Sequence, residues 1–271
     1  VNSGDSPIQP CKPSPRDLFL GRKAAGEKIT CLTAYDFPTA KLLDEAGIDA
    51  ILVGDSLGMV VLGYEDTTSV TMEEMLHHIR AVARGVDRAT VIGDLPFGSY
   101  ETPGQAVQNS RRLVEAGADA VKLEGGIAVL PQVQAIIGDG IQFVGHVGML
   151  PQHVREEGGY SKKGKTDEGA AAILADTQAL DEAGAVAIVM ESMKPTVARE
   201  ISQQIKAATI GIGASKYCDG QILVLHDLLG SFPWFCPSFA KPRADLAGET
   251  LRAVREYCQA VRETGNPNHG V

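Results

Sequence analysis

The chain has 271 residues, 44% of them hydrophobic, enough for a sizeable core, yet no apolar run approaches the roughly 20 residues that cross a bilayer. Its formal net charge of -9, with no basic stripe to override it, argues against a nucleic-acid partner. Five scattered cysteines, Cys11, Cys31, Cys218, Cys236 and Cys258, form no Cys-x-x-Cys pair, so neither a disulfide framework nor a zinc site is expected and the cytoplasm is the expected compartment.

The opening VNSGDSPIQPCKPSP has neither a basic-then-apolar signal pattern nor an initiating Met, and residues 1–14 read as a flexible tail. After a helical segment near Pro15 to Gly26, Ile29 to Ala34 reads as a first strand, followed by a helix over Pro38 to Ala46. AILVGDS (Ala50 to Ser56) is a second strand, followed by a loop through Ser69 and a helix opened by a Thr71/Glu74 capping box. TVIGDLPF and AVKLEGG are the third and fourth strands, with helices ending at Gly117 and Ile137. QFVGHVGM is the fifth. The loop Pro151 to Thr166, with Tyr160 inside it, is long enough to read as a lid. A helix over Asp167 to Ala183 leads to AIVMES, a helix from Pro195 to about Ala207, TIGIGA as seventh strand, a connection shorter than the rest, ILVLHDLLG as eighth strand, and a terminal helix over Asp245 to Glu263. EAGIDAILVGDS, EAGADAVKLEGG and EAGAVAIVMESM repeat one helix-to-strand unit. Strict alternation and eight strands in this length predict a single-domain (β/α)8 TIM barrel over residues 15–271.

Asp36, Asp55, Asp94, Glu124 and Glu191 all fall at expected strand carboxyl ends, where such a barrel binds its ligands. Each acid alone reads equally as a helix N-cap. Five together would repel one another unless a cation intervened, and an all-oxygen set suits Mg²⁺. Lys122, two residues before Glu124, points inward with it, as a clamp on a substrate anion or as a salt bridge to a neighbouring acid. His146 reads as a substrate hydrogen-bond donor or a core histidine, Ser56 as a carboxylate binder or a loop cap. The glycines of TIGIGA read as an anion site or as close packing.

The blocks TAYD, LVGDSLGMVVLGYEDT, DLPFGSY, AVKLEGG, GHVGMLPQ, the GGY loop and CDGQILVLHD resemble, in number and order, the 3-methyl-2-oxobutanoate hydroxymethyltransferase (ketopantoate hydroxymethyltransferase) family of the phosphoenolpyruvate/pyruvate barrel superfamily. The resemblance runs from about Thr30 to the final helix. It implies Mg²⁺ on Asp55 and Asp94 with Glu124 nearby, often through water, and substrate contacts from Asp55, Ser56, Asp94 and Lys122. It implies Glu191 as general base and His146 near the substrate. It further implies 5,10-methylenetetrahydrofolate as co-substrate, 3-methyl-2-oxobutanoate as acceptor, 2-dehydropantoate as product, and a homo-oligomer, often a decamer.

The chain departs from the family pattern at GIGASKYCDGQ, where Ser215, Lys216 and Tyr217 replace a glycine-led turn, and at Lys162 and Lys163 of the long loop. If the replaced glycine had positive φ, Ser215 would cost on the order of 1 kcal/mol. Both changes fall on the rim expected to meet folate. Two rivals to the family reading are a related Mg-dependent barrel lyase or mutase, and a non-catalytic metal-binding barrel with an altered folate loop. The lyases and mutases usually carry a catalytic cysteine loop, and the long loop here has no cysteine.

Overall fold

The computed structural model describes residues 12–156, 158–159 and 161–265; Cys11, Tyr160 and residues 1–11 of the expected tail lie outside them. Eight parallel strands close into a barrel in chain order: β1 (Ile29–Thr33), β2 (Ala50–Val53), β3 (Thr90–Asp94), β4 (Ala120–Lys122), β5 (Phe143–Gly148), β6 (Ala187–Glu191), β7 (Ala208–Ile212) and β8 (Gly220–Leu223). Helix α1 (Pro15–Ala25) precedes the barrel, and α2 (Phe37–Glu45), α3 (Leu57–Val60), α4 (Met72–Ala83), α5 (Pro103–Glu115), α6 (Leu130–Gly138), α7 (Asp167–Ala183) and α8 (Pro195–Gln204) alternate with the strands. Two further helices follow the last strand, α9 (Leu225–Leu229) and α10 (Leu246–Thr264).

Local chemistry explains the boundaries. Ser14, Asp36, Thr71, Thr102 and Thr166 each accept a backbone N–H from the first turn of the helix they open, and the Thr71/Glu74 capping box is reciprocal. The repeated Ala-Gly ends α2, α5 and α7 on Gly47, Gly117 and Gly184, at φ +83°, +114° and +106°, where a side chain would strain the turn.

The same repeat carries a second device. Asp49, just before β2, accepts the Thr30 N–H of β1 at 2.8 Å, and Asp119, just before β4, accepts the Val91 N–H of β3 at 2.7 Å. Asp219 before β8 does the same to Thr209 of β7 at 2.8 Å. The third copy has Val186 at this position, and its β6 lacks the lock. These acids fix register at the amino ends of the strands.

Inward-facing residues form one core inside the barrel, including Ile29, Cys31, Leu52, Ile92, Val144, Val189 and Ile210, joined from below by Leu18 and Phe19 of α1. Full burial of Phe19 contributes roughly 1.5–3 kcal/mol. Lys23 of α1 donates to the Ser202 and Ala207 carbonyls at 3.1 and 2.9 Å. A second core fills the space between strands and outer helices.

One expectation is corrected. The eighth strand is Gly220–Leu223, and the stretch read as its continuation, Leu225–Leu229, is helical. The seventh connection is short, as expected: β7 and β8 are joined by a turn without a helix. The long loop opens with a 3-10 turn at Pro151–His153 and is tied down at Lys163, whose N–H donates to Ser192 O at 2.8 Å and whose carbonyl accepts from Lys194 N at 3.0 Å.

By its contacts the chain separates into two compact units, divided between residues 222 and 223. Helix α10 in the second unit is capped by Asp245, and Leu251, Val254 and Tyr257 on it are exposed. Among the described residues Cys31, Cys218, Cys236 and Cys258 are free thiols, and no helix is long and apolar enough to cross a membrane.

Candidate active site

Successive inward positions along a strand lie two residues apart, so the residues above the apolar barrel core are set by the same alternation that builds it. Above Ile92 comes Asp94, above Ala120 come Lys122 and Glu124, above Val144 comes His146, and above Val189 comes Glu191. Asp55 joins them from the turn after β2. Asp55, Asp94, Lys122, Glu124 and His146 are buried, none exceeding 4% exposure, while the Glu191 side chain keeps 12%. The structure thus brings together the acids expected on strands two, three, four and six.

Asp36 is not among them. It is exposed and its carboxylate accepts the Thr39 N–H at 2.8 Å, so the plain N-cap reading holds there. His146 lies within β5 rather than at its end.

Asp94 and Lys122 are partners across the β3–β4 ladder, and the ammonium donates to both Asp94 oxygens at 2.8 Å. The salt-bridge reading of Lys122 is therefore realised in this structure. Lys122 also lies 3.9 Å from Glu124. His146 is held between two acids, with Nδ1 at 3.3 Å from Glu124 and Nε2 at 3.3 Å from Glu191, as charge contacts rather than aligned hydrogen bonds. The Asp55 N–H approaches Asp94 Oδ2 at 3.4 Å, and Ser56 Oγ shares a hydrogen bond with Tyr35 Oη at 2.8 Å.

Electrostatics follow from this packing. Burial raises the Asp55 carboxyl well above the usual range, the Asp94 and Glu124 charges raise it further, and Lys122 and Gln152 offset only part. Asp94 is also raised by burial despite its contact with Lys122. Burial raises Glu124 too, but His146, Lys122 and the Gln152 N–H together hold it low. Burial and Lys122 push His146 down, yet Glu124 and Glu191 bring it up to about 9, so it is an imidazolium at neutral pH. Lys122 stays charged because Asp94, Glu124 and Asp55 surround it.

Four carboxyl groups, Asp55, Asp94, Glu124 and Glu191, thus share a dry site with one ammonium and one imidazolium, so there are more acids than cations to balance them. A hard divalent cation fits this donor set in charge and in chemistry. Among the described residues no three His, Cys, Asp or Glu side chains gather as a ready-made ligand cage. The adjacent Asp55 and Asp94 are the residues able to hold such an ion.

Glu191 is held by its backbone. Its carbonyl accepts the Met149 N–H at 3.0 Å, and Ser192 N donates to Ile212 O at 2.9 Å. Ser192, at φ +44°, is the one non-glycine with positive φ among the described residues, a strained conformation that turns the chain just after the acid. Gly148, Glu191's ladder partner, leaves room for that carbonyl; a Cβ there would collide with it.

Ser215 has no positive φ, so the expected strain is absent; its hydroxyl accepts the Tyr217 N–H at 3.2 Å. Tyr217 is exposed, with the Arg199 guanidinium 4.8 Å above its ring.

Three residues of this site carried no role in the sequence reading: Gln152, Tyr100 and Tyr35. Each ends or lies in one of those blocks, but only the folded contacts show that Gln152 meets Asp55, Tyr100 meets Gln152 and Tyr35 meets Ser56.

A sequence model described as ketopantoate hydroxymethyltransferase matches residues 17–269. The 3-methyl-2-oxobutanoate hydroxymethyltransferase of Ignicoccus hospitalis is 52% identical, over 94% of this chain and 97% of its own. That of Clostridium kluyveri is also 52% identical, over 90% and 88%. The chain belongs to the ketopantoate hydroxymethyltransferase family. Solved structures of similar fold include phosphonopyruvate hydrolase in complex with oxalate and Mg²⁺, at TM-score 0.65, 15% identity and 95% and 90% coverage of the two chains. A 2,3-dimethylmalate lyase of the PEP mutase/isocitrate lyase superfamily matches at TM-score 0.60, 17% identity and 94% and 90% coverage. At such identities these show the barrel alone, whereas half-identity over nearly the whole chain places it among the ketopantoate hydroxymethyltransferases rather than the lyases.

Proposed function

We propose that this enzyme transfers a hydroxymethyl group from 5,10-methylenetetrahydrofolate to 3-methyl-2-oxobutanoate, giving 2-dehydropantoate, a step of pantothenate biosynthesis. The observation that carries the reading is the buried, negatively biased cluster with Glu191 at its more open edge. Asp55 and Asp94 are the residues that would hold Mg²⁺, with Glu124 beside them. When bound, the ion draws electrons from the 2-oxo acid and so acidifies its C3 hydrogen.

Glu191 takes the C3 proton onto its carboxylate, and the strained turn at Ser192 keeps that carboxylate in place. His146 stays beside Glu191 and Glu124, turning its positive charge toward both. Lys122 supplies positive charge toward the 2-oxo oxygen as negative charge reaches it. Ser56 offers its hydroxyl to the substrate carboxylate. With the proton on Glu191, C3 bonds to the methylene carbon of folate as one of that carbon's two bonds to nitrogen breaks; water then replaces the other nitrogen, giving the hydroxymethyl group, and tetrahydrofolate leaves with the protons given up by C3 and by water on its two nitrogens. Tyr217 and Lys216 form the rim that meets folate. The enzyme works in the cytoplasm as a homo-oligomer, a state supported by the exposed apolar residues of α10.

The test is a product assay with both substrates and Mg²⁺, paired with C3 hydrogen exchange into deuterated water. Formation of 2-dehydropantoate and exchange without folate are expected. Neither reaction in folded protein would leave a non-catalytic barrel, and cleavage of a hydroxy-diacid or phosphonate would leave a lyase.

A further inference from the structure

Gln152 opens the long loop yet is buried among barrel acids. Its side chain makes three hydrogen bonds. Nε2 donates to Asp55 Oδ2 at 2.8 Å and to the Leu95 carbonyl at 3.0 Å, and Oε1 accepts from the Tyr100 hydroxyl. Its backbone N–H donates to Glu124 Oε2 at 3.0 Å.

The direction of the amide is determined twice over. A backbone carbonyl only accepts, so the end facing Leu95 O must be the NH₂. The Tyr100 phenol, raised by burial and then by the charges of Glu124, Asp94 and Asp55, keeps its proton and donates to the other end. Both amide hydrogens are thereby placed, and one of them lies on Asp55 Oδ2. Among the described residues no donor reaches Asp55 Oδ1.

We infer that Gln152 is a positioning residue for Asp55, its amide aimed by Tyr100 and Leu95 so that one carboxylate oxygen is anchored to protein and the other is kept for the cation. The inference rests on the proposed Mg²⁺ site at Asp55 and Asp94. It joins three loops, those after β2, β3 and β5, through one side chain. A carboxylate gripped at one oxygen cannot rotate to offer both to solvent, so the ion meets a preset donor rather than a mobile one.

The test measures Mn²⁺ binding by calorimetry on the substrate-free enzyme, alongside C3 exchange kinetics. Gln152→Met keeps length and burial but removes the donor; it should weaken Mn²⁺ affinity by about 10–100-fold, the usual range when an outer partner of a ligand is lost. At saturating metal, the KM for the oxo acid should stay near the wild-type value. Tyr100→Phe, which leaves Gln152 and Asp55 in contact, should weaken Mn²⁺ less, and should add nothing in the Gln152→Met background. That non-additivity would not arise from two independent losses of packing. If Gln152→Met fails to fold, Tyr100→Phe must still lower Mn²⁺ affinity; wild-type affinity there overturns the inference. Wild-type affinity in folded Gln152→Met, or multiplicative effects of the two changes, overturns it while leaving the function intact. Absence of any Mn²⁺ binding by the wild-type enzyme removes the metal site itself, and the inference with it.

Discussion

The two ends of the barrel use acidic residues in opposite ways. At the amino ends of the strands, Asp49, Asp119 and Asp219 each accept a neighbouring strand's N–H and pair with a base: Arg22 at 2.8 Å, Lys12 at 2.5 Å and Lys23 at 3.0 Å. Asp44 likewise accepts the N–H groups of Asp87, Arg88 and Ala89. At the carboxyl ends Asp55, Asp94, Glu124 and Glu191 face one another, with too few cations between them. A satisfied acid holds the fold together; an unsatisfied one keeps affinity for something from outside. The same residue type thus serves stability below and chemistry above.

The sharpest way to break this comparison is Asp94→Asn. It leaves Lys122 buried without its main partner, so a loss of about 3–5 kcal/mol in urea unfolding is expected, together with loss of metal-dependent oxo-acid binding by calorimetry. Full retention of binding would put the metal elsewhere. Glu191→Gln should slow C3 exchange by at least about 100-fold while leaving the urea midpoint unchanged, because this acid holds no strand in place. The mirror experiment is Asp119→Ala, which should cost about 1–3 kcal/mol of stability through the lost Val91 contact yet preserve kcat in the folded fraction. A collapse of kcat there would show that the two ends are not separable.

Titration should give slopes of opposite sign. Although burial alone raises Asp44, its three N–H donors and Arg88 set its folded pKa below the ordinary 3.8. Its contribution is therefore complete above the unfolded value and is lost as pH falls through the folded one; Asp44→Asn should flatten that acid limb. Asp55 is raised, so in metal-free enzyme the folded state takes up its proton before the unfolded chain does. Stability from this group grows as pH falls through its folded pKa, and Asp55→Asn should abolish the rise. Equal slopes at the two sites would contradict the contrast. The smallest effect expected is Ser215→Gly, within about 0.5 kcal/mol, since Ser215 sits in no strained conformation.

Much of this was legible in the order of residues. Period-two alternation placed Lys122 and Glu124 on one inward face, and the boundaries of α7 follow from Thr166 and the Ala-Gly ending. The apolar run ILVLHDLLG was ambiguous because the last two strand residues, Ile222 and Leu223, and five helical ones share one hydrophobic stretch, and length alone could not divide them. Asp36 looked like its fellow acids because an N-cap and a barrel-mouth ligand occupy the same place in a strand-to-helix unit. Asp49 and Asp119 stood in the repeated motif, but their task, register, leaves no pattern beyond the repeat itself. Gln152 and Asp55 lie 97 residues apart, a pairing that only closure of the barrel creates.

That closure has a consequence for the order in which the chain matures. Helix α1 leaves the ribosome before the barrel strands, but the groups that complete it come late: Lys23 reaches carbonyls 179 and 184 residues further on, and Ile29 N donates to Asp219 O at 3.0 Å. Contacts of such span form only after a long loop has been gathered, so they belong to the slow phase of folding. Until then Phe19 has no floor to rest on and the barrel bottom stands open. A nascent chain halted before β7 would thus carry an exposed aromatic helix ahead of its strands, a natural handle for a chaperone and a vulnerable point for a protease.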